Sequence, residues 1–245
     1  MKKILFAIAL AIVATACHTN EGDKAVGFGS IAINAATRSE VATTSEEGRF
    51  HLTDAPAAED LRVDIVGGDY AKSWSSLSAF NAECSEGLTF IAAPYTITLS
   101  YGEMGAEGWS KPYFKGMTTV EVPMYGLTAE ANIEVTLQNS IVAIEATDEF
   151  KGYFPLHSFK VKGFAWEAER EESLYLNVGN VTVTCEATSQ TGKASTFEAT
   201  ISLKPTTRHT VLFDLSTAGN ASVNVTFDGE IVDVTEEEFE LNENA

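Results

Sequence analysis

The sequence predicts an all-β protein in which a signal peptide precedes two antiparallel β-sandwich units of the transthyretin-like or immunoglobulin-like kind. Short segments that alternate apolar and polar residues recur along the chain, and this period of two is typical of strands with one buried face. Helical periodicity is scarce, and glycine and asparagine separate the segments. Residues 1–16 differ in composition and are typical of a leader.

The leader has the order of a secretory signal. Lys2 and Lys3 precede the apolar run 4–13 and the small residues 14–16. The run is only about half of the ~20 residues that a membrane-spanning helix needs, so we expect cleavage. Cys17 follows directly, as in bacterial lipoprotein signals, and we expect it to carry a diacylglycerol and further acyl groups such as palmitate. The alternative is an ordinary signal peptide with an incidental cysteine.

Residues 17–27 are polar after the cysteine, and we expect a lipidated flexible tether. One acyl chain holds a protein only marginally, at about 0.8 kcal/mol per buried methylene, but two or three chains on Cys17 would make release negligible. The expected location is therefore the outer membrane, with the body lipid-anchored. Exposure at the cell surface is favoured, and the inner side of that membrane is the alternative.

The charge balance excludes one class of partner. The chain has 16 Lys plus Arg against 35 Asp plus Glu, a formal net charge of −19. An acidic surface repels phosphate backbones, so we expect no nucleic-acid binding. It also repels anionic headgroups, so membrane contact is expected to come from the lipid and not from a basic face.

The alternating segments fall into two groups, which predict sandwiches over 28–140 and 141–236 with an acidic tail at 237–245. The pair Asp228-Gly229 predicts a hairpin turn, because both central residues of a type I′ turn need positive φ. The segment "TDEFKGYF" predicts a brief helical turn capped by Thr147 or Asp148. The predicted strands of both groups are "SIAINA", "LRVDIVGG", "YTITLSYG", "TTVEVPM", "ANIEVTLQNS", "SLYLNV", "VTVTCEA", "TFEATISL", "HTVLFDL" and "ASVNVTFDGEIVDV".

Two further cysteines carry no clear chemistry. Cys185 shares the strand face of Val181 and Val183, which predicts a small core residue. Cys84 lies in the polar stretch "NAECSEG", which suggests a loop, and a disulfide between the two is not favoured. Paired-cysteine zinc spacing, a G-x-S-x-G elbow and an HExxH motif are all missing from the sequence. We therefore expect no cofactor, no metal and no enzyme activity.

The segment 101–116, "YGEMGAEGWSKPYFKG", is the strongest candidate for binding. Aromatic rings stack on the apolar faces of sugars, and long loops on a rigid sandwich often bind ligands. The alternative is that these rings cover the open end of a sheet, and Trp74 is a candidate for the same loops. The predicted ligand-binding residues are Trp109, Tyr113, Phe114 and Lys111.

Several short motifs follow one another along the chain: "GSIAI", "YTITLSYG", "KPYFKG" before "VEVPM", "VTLQNSIVAI" and "FKGYF". In this order and spacing they resemble a family of Bacteroidetes lipoprotein domains of unknown function. The resemblance implies a β-sandwich lipoprotein of the cell envelope, similar to fimbrillin-type proteins, and supplies no catalytic residue. The acidic Glu21 and Asp23 behind the anchor resemble the export signal of surface lipoproteins in that phylum.

Two functions follow as hypotheses. The first is a non-catalytic binding or accessory module of the cell surface with a glycan or protein partner. The alternative is a structural subunit or accessory of a fimbria-like assembly, in which an extended segment adds a strand to a neighbour. The segment 30–35 or the tail from Glu236 would be the added strand.

Overall fold

The computed structural model describes residues 27–44, 48–167, 170–216 and 222–238. The predicted signal peptide, Cys17, most of the tether and the end of the acidic tail lie outside these residues. The described chain is built largely of strands in several sheets, which confirms the predicted all-β fold class. Two α-helices are present among the described residues, α1 (Leu77–Ser85) and α2 (Asp148–Tyr153), with a 3₁₀ turn at Ala58–Asp60.

The strands of the first half are β1 (Phe28–Thr37), β2 (Glu40–Thr43), β3 (Arg49–His51), β4 (Arg62–Gly67), β5 (Tyr70–Trp74), β6 (Phe90–Ile91), β7 (Pro94–Tyr101), β8 (Gly108–Trp109), β9 (Phe114–Glu121) and β10 (Thr128–Leu137). Those of the second half are β11 (Ser140–Ala146), β12 (Leu156–Val161), β13 (Phe164–Trp166), β14 (Leu174–Leu176), β15 (Gly179–Thr188), β16 (Ala194–Leu203), β17 (Thr207–Ser216), β18 (Ser222–Phe227), β19 (Glu230–Val232) and β20 (Val234–Glu238).

The strands form three sheets. The first has the order β5-β4-β7-β9-β10-β1-β6, the second β19-β18-β17-β11-β14-β8 with β2 and β3 attached through β17, and the third β13-β12-β15-β16-β20. Most pairings are antiparallel as predicted, but β1 with β10, β11 with β17 and β2 with β17 are parallel. Parallel neighbours need a long connection, and each of these pairs is far apart in sequence.

A first hydrophobic core lies on the inner face of the first sheet. Alternate residues of β7, such as Ile97 and Leu99, are fully buried while their neighbours are partly exposed. Helix α1 adds Leu77 and Phe80 to the same core. The burial of alternate residues is the physical basis of the alternating pattern in the sequence.

Helix α1 corrects the expectation of a loop around Cys84, which lies on the last turn of the helix. Ser76 caps it, since its Oγ accepts a hydrogen bond from the Ala79 amide at 3.1 Å. Trp74 is buried beneath the helix, 5.0 Å from the Phe80 ring in an edge-to-face contact. Trp74 is therefore a core residue of the first half.

A second core fills the space between the second and third sheets. Cys185 is fully buried in it beside Val183, as the sequence predicted. Both Cys84 and Cys185 are free thiols. Burial, with a smaller contribution from Glu186, raises the pKa of the Cys185 thiol to about 12, so it stays protonated and packs as an apolar residue.

Two local predictions are confirmed in the second half. Thr147 caps α2, because its Oγ1 accepts from the Phe150 amide at 3.2 Å. Asp228 and Gly229 both have positive φ, 54° and 85°, at the turn between β18 and β19. These features depend on residues close in sequence, which is why the sequence alone predicts them.

Contacts between the halves are polar as well as apolar. Tyr175 belongs to the first core although it lies on β14, and its hydroxyl donates to Asp54 Oδ1 at 2.6 Å. The buried His209 Nδ1 donates to Asp228 Oδ2 at 2.6 Å, and Thr44 donates to the other oxygen of that carboxylate. The division into units at 140 and 141 stays a prediction, although core membership changes between Ile141 and Val142.

Candidate ligand-binding edge

The segment between β7 and β9 is held by a buried asparagine. The Oδ1 atom of Asn139 accepts from the Tyr113 amide at 3.1 Å, and its Nδ2 donates to the Lys111 carbonyl at 3.0 Å. Asn139 is only 2% exposed, so these bonds replace water for both the side chain and the backbone. Gly102 has φ 81° and faces the Pro112 carbonyl so closely that no Cβ fits. The base of the loop is therefore fixed.

Strand β8 carries this loop from the first half onto the second sheet. Trp109 pairs with Leu174 of β14, and the Ser110 amide donates to the Ser173 carbonyl at 3.0 Å. β8 is the outer strand of the second sheet, and β13 is the outer strand of the third. The two strands thus bring the edges of both sheets together.

Two half-buried tryptophans meet across these edges. The ring centroids of Trp109 and Trp166 are 5.3 Å apart with the planes tilted by 36°. Phe164, also on β13, packs over Gly108 of β8. Arg170 lies over the Trp109 ring with its Cζ 4.7 Å from the ring centroid. We call this group, Trp109, Phe164, Trp166 and Arg170, the aromatic edge.

Arg170 is positioned by carboxylates as well as by the ring. Its Nε donates to Glu172 at 3.0 Å, and its Nη1 lies 3.7 Å from Glu167. A guanidinium over an indole adds about 0.5–1 kcal/mol at an exposed site. Arg170 therefore covers one face of Trp109 with a contact weak enough for a ligand to displace.

An ion pair between the half-buried Glu107 and the exposed Lys162 supports the edge. Lys162 Nζ donates to both carboxylate oxygens of Glu107 at 2.7 Å, and the Asn177 amide donates to Glu107 Oε1 at 2.7 Å. Burial acts to raise the pKa of Glu107, but the hydrogen bonds from Lys162 and Asn177 outweigh it and hold this pKa below its ordinary value. Glu107 is thus ionised at neutral pH and ties the 102–113 loop to β13 and β14.

The predicted binding residues do not form one surface. Trp109 lies in the aromatic edge, and Lys111 is exposed beside it, with its Cγ close to Gly108. Tyr113 is half-buried at the base of the loop. Phe114 is fully buried in the first core, so it offers no face to a ligand.

The sequence did not reveal Phe164, Trp166 and Arg170 as neighbours of Trp109. The only local signal is the short string "FAW", in which two rings share one strand face. Their contact with Trp109 depends on the pairing of β8 with β14, which sequence spacing does not encode.

A second concave surface lies on the outer face of the third sheet. This groove, of about 600 Å³, is lined by Pro155, Leu156, His157, Ser158, Glu186, Ala187, Thr188, Ala194, Ser195 and Thr196. Apart from the His157 imidazole it presents no aromatic ring. The aromatic edge is accordingly the better candidate for stacking on a sugar.

Among the described residues, no group of three or more His, Cys, Asp or Glu side chains is arranged to hold a metal ion. Neither described helix has the length and apolar character needed to cross a bilayer.

The fold and the edge define an all-β protein of packed sheets with an aromatic contact between two sheet edges. The chain belongs to the family described as a domain of unknown function, DUF4493, whose model matches residues 27–243. This match confirms the resemblance to a family of unknown function. No curated protein sequence matches the chain.

The solved structures that the chain resembles include proteins from Bacteroides and Porphyromonas. A candidate cell adhesion protein from Bacteroides eggerthii is 9% identical, with a TM-score of 0.42 and coverage of 86% of this chain and 98% of that one. A candidate polysaccharide-binding protein from Bacteroides thetaiotaomicron is 6% identical, with a TM-score of 0.40 and coverage of 89% and 100%. The fimbrial anchor protein Mfa2 from Porphyromonas gingivalis is 9% identical, with a TM-score of 0.35 and coverage of 84% and 99%. With TM-scores below 0.5, these likenesses carry no conclusion about what this chain does.

Proposed function

We propose that this protein is a non-catalytic binding module, anchored in the outer membrane by lipid on Cys17 and exposed at the cell surface, whose aromatic edge binds a glycan. The observation that carries the proposal is the half-exposed pair Trp109 and Trp166 on two rigid sheet edges. Indole rings stack on the apolar faces of pyranose sugars, and the exposed Lys111 and Arg170 add donors for hydroxyl or carboxylate groups. A fixed platform of this kind binds without large ordering costs.

The titratable groups with shifted pKa serve the fold, which supports a non-catalytic role. The Glu107 carboxylate is engaged in its ion pair with Lys162. Burial, together with the hydrogen bond to Asp54, strongly raises the pKa of Tyr175. Each of these groups joins segments that are distant in sequence. The proposal therefore contains no reaction step.

Isothermal titration calorimetry of the soluble body, residues 18–245, against a panel of glycans tests the edge. We expect Trp166→Ala and Trp109→Ala each to weaken binding by about tenfold or more, since truncation of an aromatic anchor residue at the centre of a binding site typically costs about 2 kcal/mol or more. Tyr125→Ser is the matched control, because that ring is exposed at a distant turn. Unchanged binding in both tryptophan variants would reject the site.

A second function is favoured by the position of β1. This terminal segment lies inside the first sheet, parallel to β10 along Ser30–Thr37, and buries Ile31 and Ile33. Its removal would open an apolar groove between β10 and β6, into which a strand of another copy fits. We propose this strand addition as the alternative function, in a fimbria-like assembly.

Proteolytic removal of β1 tests the alternative. An engineered protease site after Thr37 would release the strand, and size-exclusion chromatography would report the assembly state. Concentration-dependent polymers support strand addition. A stable monomer with an open groove, verified by hydrogen exchange along β10, rejects it.

A further inference from the structure

One end of the first half exposes a cluster of large apolar side chains. It is formed by the start of β1, by β6 and by the turn between β9 and β10. Main-chain bonds hold these segments together: the Gly126 amide donates to the Phe28 carbonyl at 2.7 Å, and the Ser30 amide donates to the Leu127 carbonyl at 3.0 Å. The exposed fractions are 50% for Phe28, 52% for Ile91, 50% for Met124, 91% for Tyr125 and 60% for Leu127. We call these residues the apolar end.

The segments that build the apolar end contain no charged residue. None occurs in 27–37, 88–102 or 122–129, whereas 21% of the whole chain is Asp, Glu, Lys or Arg. Scattered single apolar residues on a surface are ordinary, but a contiguous apolar patch without charges marks an interaction site. All of the charged residues of this acidic chain therefore lie outside these three segments.

The tip of the patch carries a residue that the backbone disfavours. Tyr125 has φ 65° and is followed by Gly126 at φ 73°, as in a type I′ turn. A bulky side chain in the left-handed region costs about 1–2 kcal/mol, and asparagine or glycine is usual there. The ring makes no compensating burial, since it is 91% exposed. A tyrosine at this position therefore points to a contact outside this chain.

Gly27, the first described residue after Cys17, lies at this same end. The Gly27 carbonyl accepts from the Ala92 amide at 2.7 Å, and Met124 packs directly on Gly27. From there, ten peptide units lead back to Cys17. Such a tether spans at most about 35 Å and on average roughly 17 Å. A lipid on Cys17 would therefore keep the apolar end beside the bilayer.

We infer that the apolar end is a membrane-contact surface, in which Phe28, Ile91, Met124, Tyr125 and Leu127 enter the bilayer interface that holds the anchor. The inference rests on the proposed lipidation of Cys17. Aromatic and aliphatic side chains are favoured at the interface, with tyrosine at headgroup depth. The tether raises the effective concentration of the surface, so even a weak contact is populated. This contact holds the folded body in one orientation relative to the bilayer.

Lipid quenching tests this contact in the native acylated protein. The acylated protein would be reconstituted in vesicles of phosphatidylethanolamine and phosphatidylglycerol that also contain dibrominated phosphatidylcholine. The probe is Tyr125→Trp, and the control is Leu156→Trp, a side chain 69% exposed on the third sheet. After subtraction of the parent signal, we expect the probe's fluorescence to fall by roughly half, because interfacial residues lie ~5–10 Å into the headgroup and acyl boundary. The control should keep its signal.

The outcomes separate this inference from the proposed anchor. Protein that floats with the vesicles while both tryptophans keep their signal overturns the contact and leaves the anchor standing. Protein that fails to float overturns both. Sedimentation velocity of the Cys17→Ser form should show a monomer; a dimer that Tyr125→Ser dissociates would assign the patch to a second copy and overturn the membrane contact.

Discussion

Asn139 illustrates how a single buried side chain positions the candidate site. It bonds the Lys111 carbonyl and the Tyr113 amide, and both bonds are shielded from water. This role could not be predicted from the sequence, because an asparagine after a strand is usually a turn residue. The side chain acts over a sequence distance of more than twenty residues, which spacing rules do not reach.

We expect Asn139→Ala to destabilise the protein by about 1–3 kcal/mol, since two buried backbone groups lose their partner. Asn177→Ala is the control: its side-chain bond to the Gly105 carbonyl is exposed and should be worth less than about 1 kcal/mol. Urea unfolding followed by tryptophan fluorescence measures both. Equal losses would contradict the role given to Asn139.

Glu107 should make stability depend on pH. Its pKa is lowered in the folded protein, so its contribution is fully present above the ordinary value of 4.5 and is lost as the pH falls through the folded value. Glu107→Gln removes this contribution. We expect the gap in unfolding free energy between parent and variant to shrink between about pH 6 and pH 3. A gap that stays constant, or widens in acid, would contradict the ion pair with Lys162.

At the scale of elements, predictions succeeded where the signal is local. The turn at Asp228-Gly229, the cap at Thr147 and the alternating strands β7, β15 and β16 all follow from neighbouring residues. Helix α1 was missed because only Leu77 and Phe80 are buried, and it is held by packing on Trp74. β2, β3 and β8 are too short to show a period, and β2 and β8 each pair with a strand from the other half of the chain.

The Thr147 cap gives a prediction at this scale. Its Oγ1 accepts from the Phe150 amide and donates to Asp214 Oδ1 at 2.8 Å. Thr147→Ala loses both bonds and should cost about 1–2 kcal/mol, whereas Thr147→Ser keeps the hydroxyl and should cost much less. Thermal unfolding by circular dichroism compares them. Matching melting temperatures for the two variants would exclude the cap as the cause.

The turn at Tyr125 predicts a gain in stability. Tyr125→Asn fits the left-handed backbone better and should stabilise the soluble body by about 1 kcal/mol. Tyr125→Phe, the matched variant, should leave stability unchanged. A loss of stability in Tyr125→Asn, measured by urea unfolding, would show that the ring supports the fold and is not held there for an outside contact.

At the scale of the whole molecule, the two proposed surfaces serve different contacts. The aromatic edge joins the second and third sheets, whereas the apolar end lies at the start of β1, where the tether begins. The alternation of apolar and polar residues was enough to predict the fold class. The aromatic residues of segment 101–116 were enough to predict Trp109 as a candidate ligand-binding residue. The pairing of Trp109 with Trp166 and the clustering of the apolar end were beyond the sequence, because both arise from the order of strands in the sheets.

The central claim is that lipid on Cys17 holds this all-β body at the cell surface. Intact-mass spectrometry of the native protein, compared with Cys17→Ser, tests it most directly. The account predicts a chain that begins at Cys17 and carries the mass of a diacylglycerol with any further acyl chain, and an unprocessed or unacylated product for the serine variant. A native chain that carries a free thiol at Cys17, or that retains residues 1–16, would contradict it.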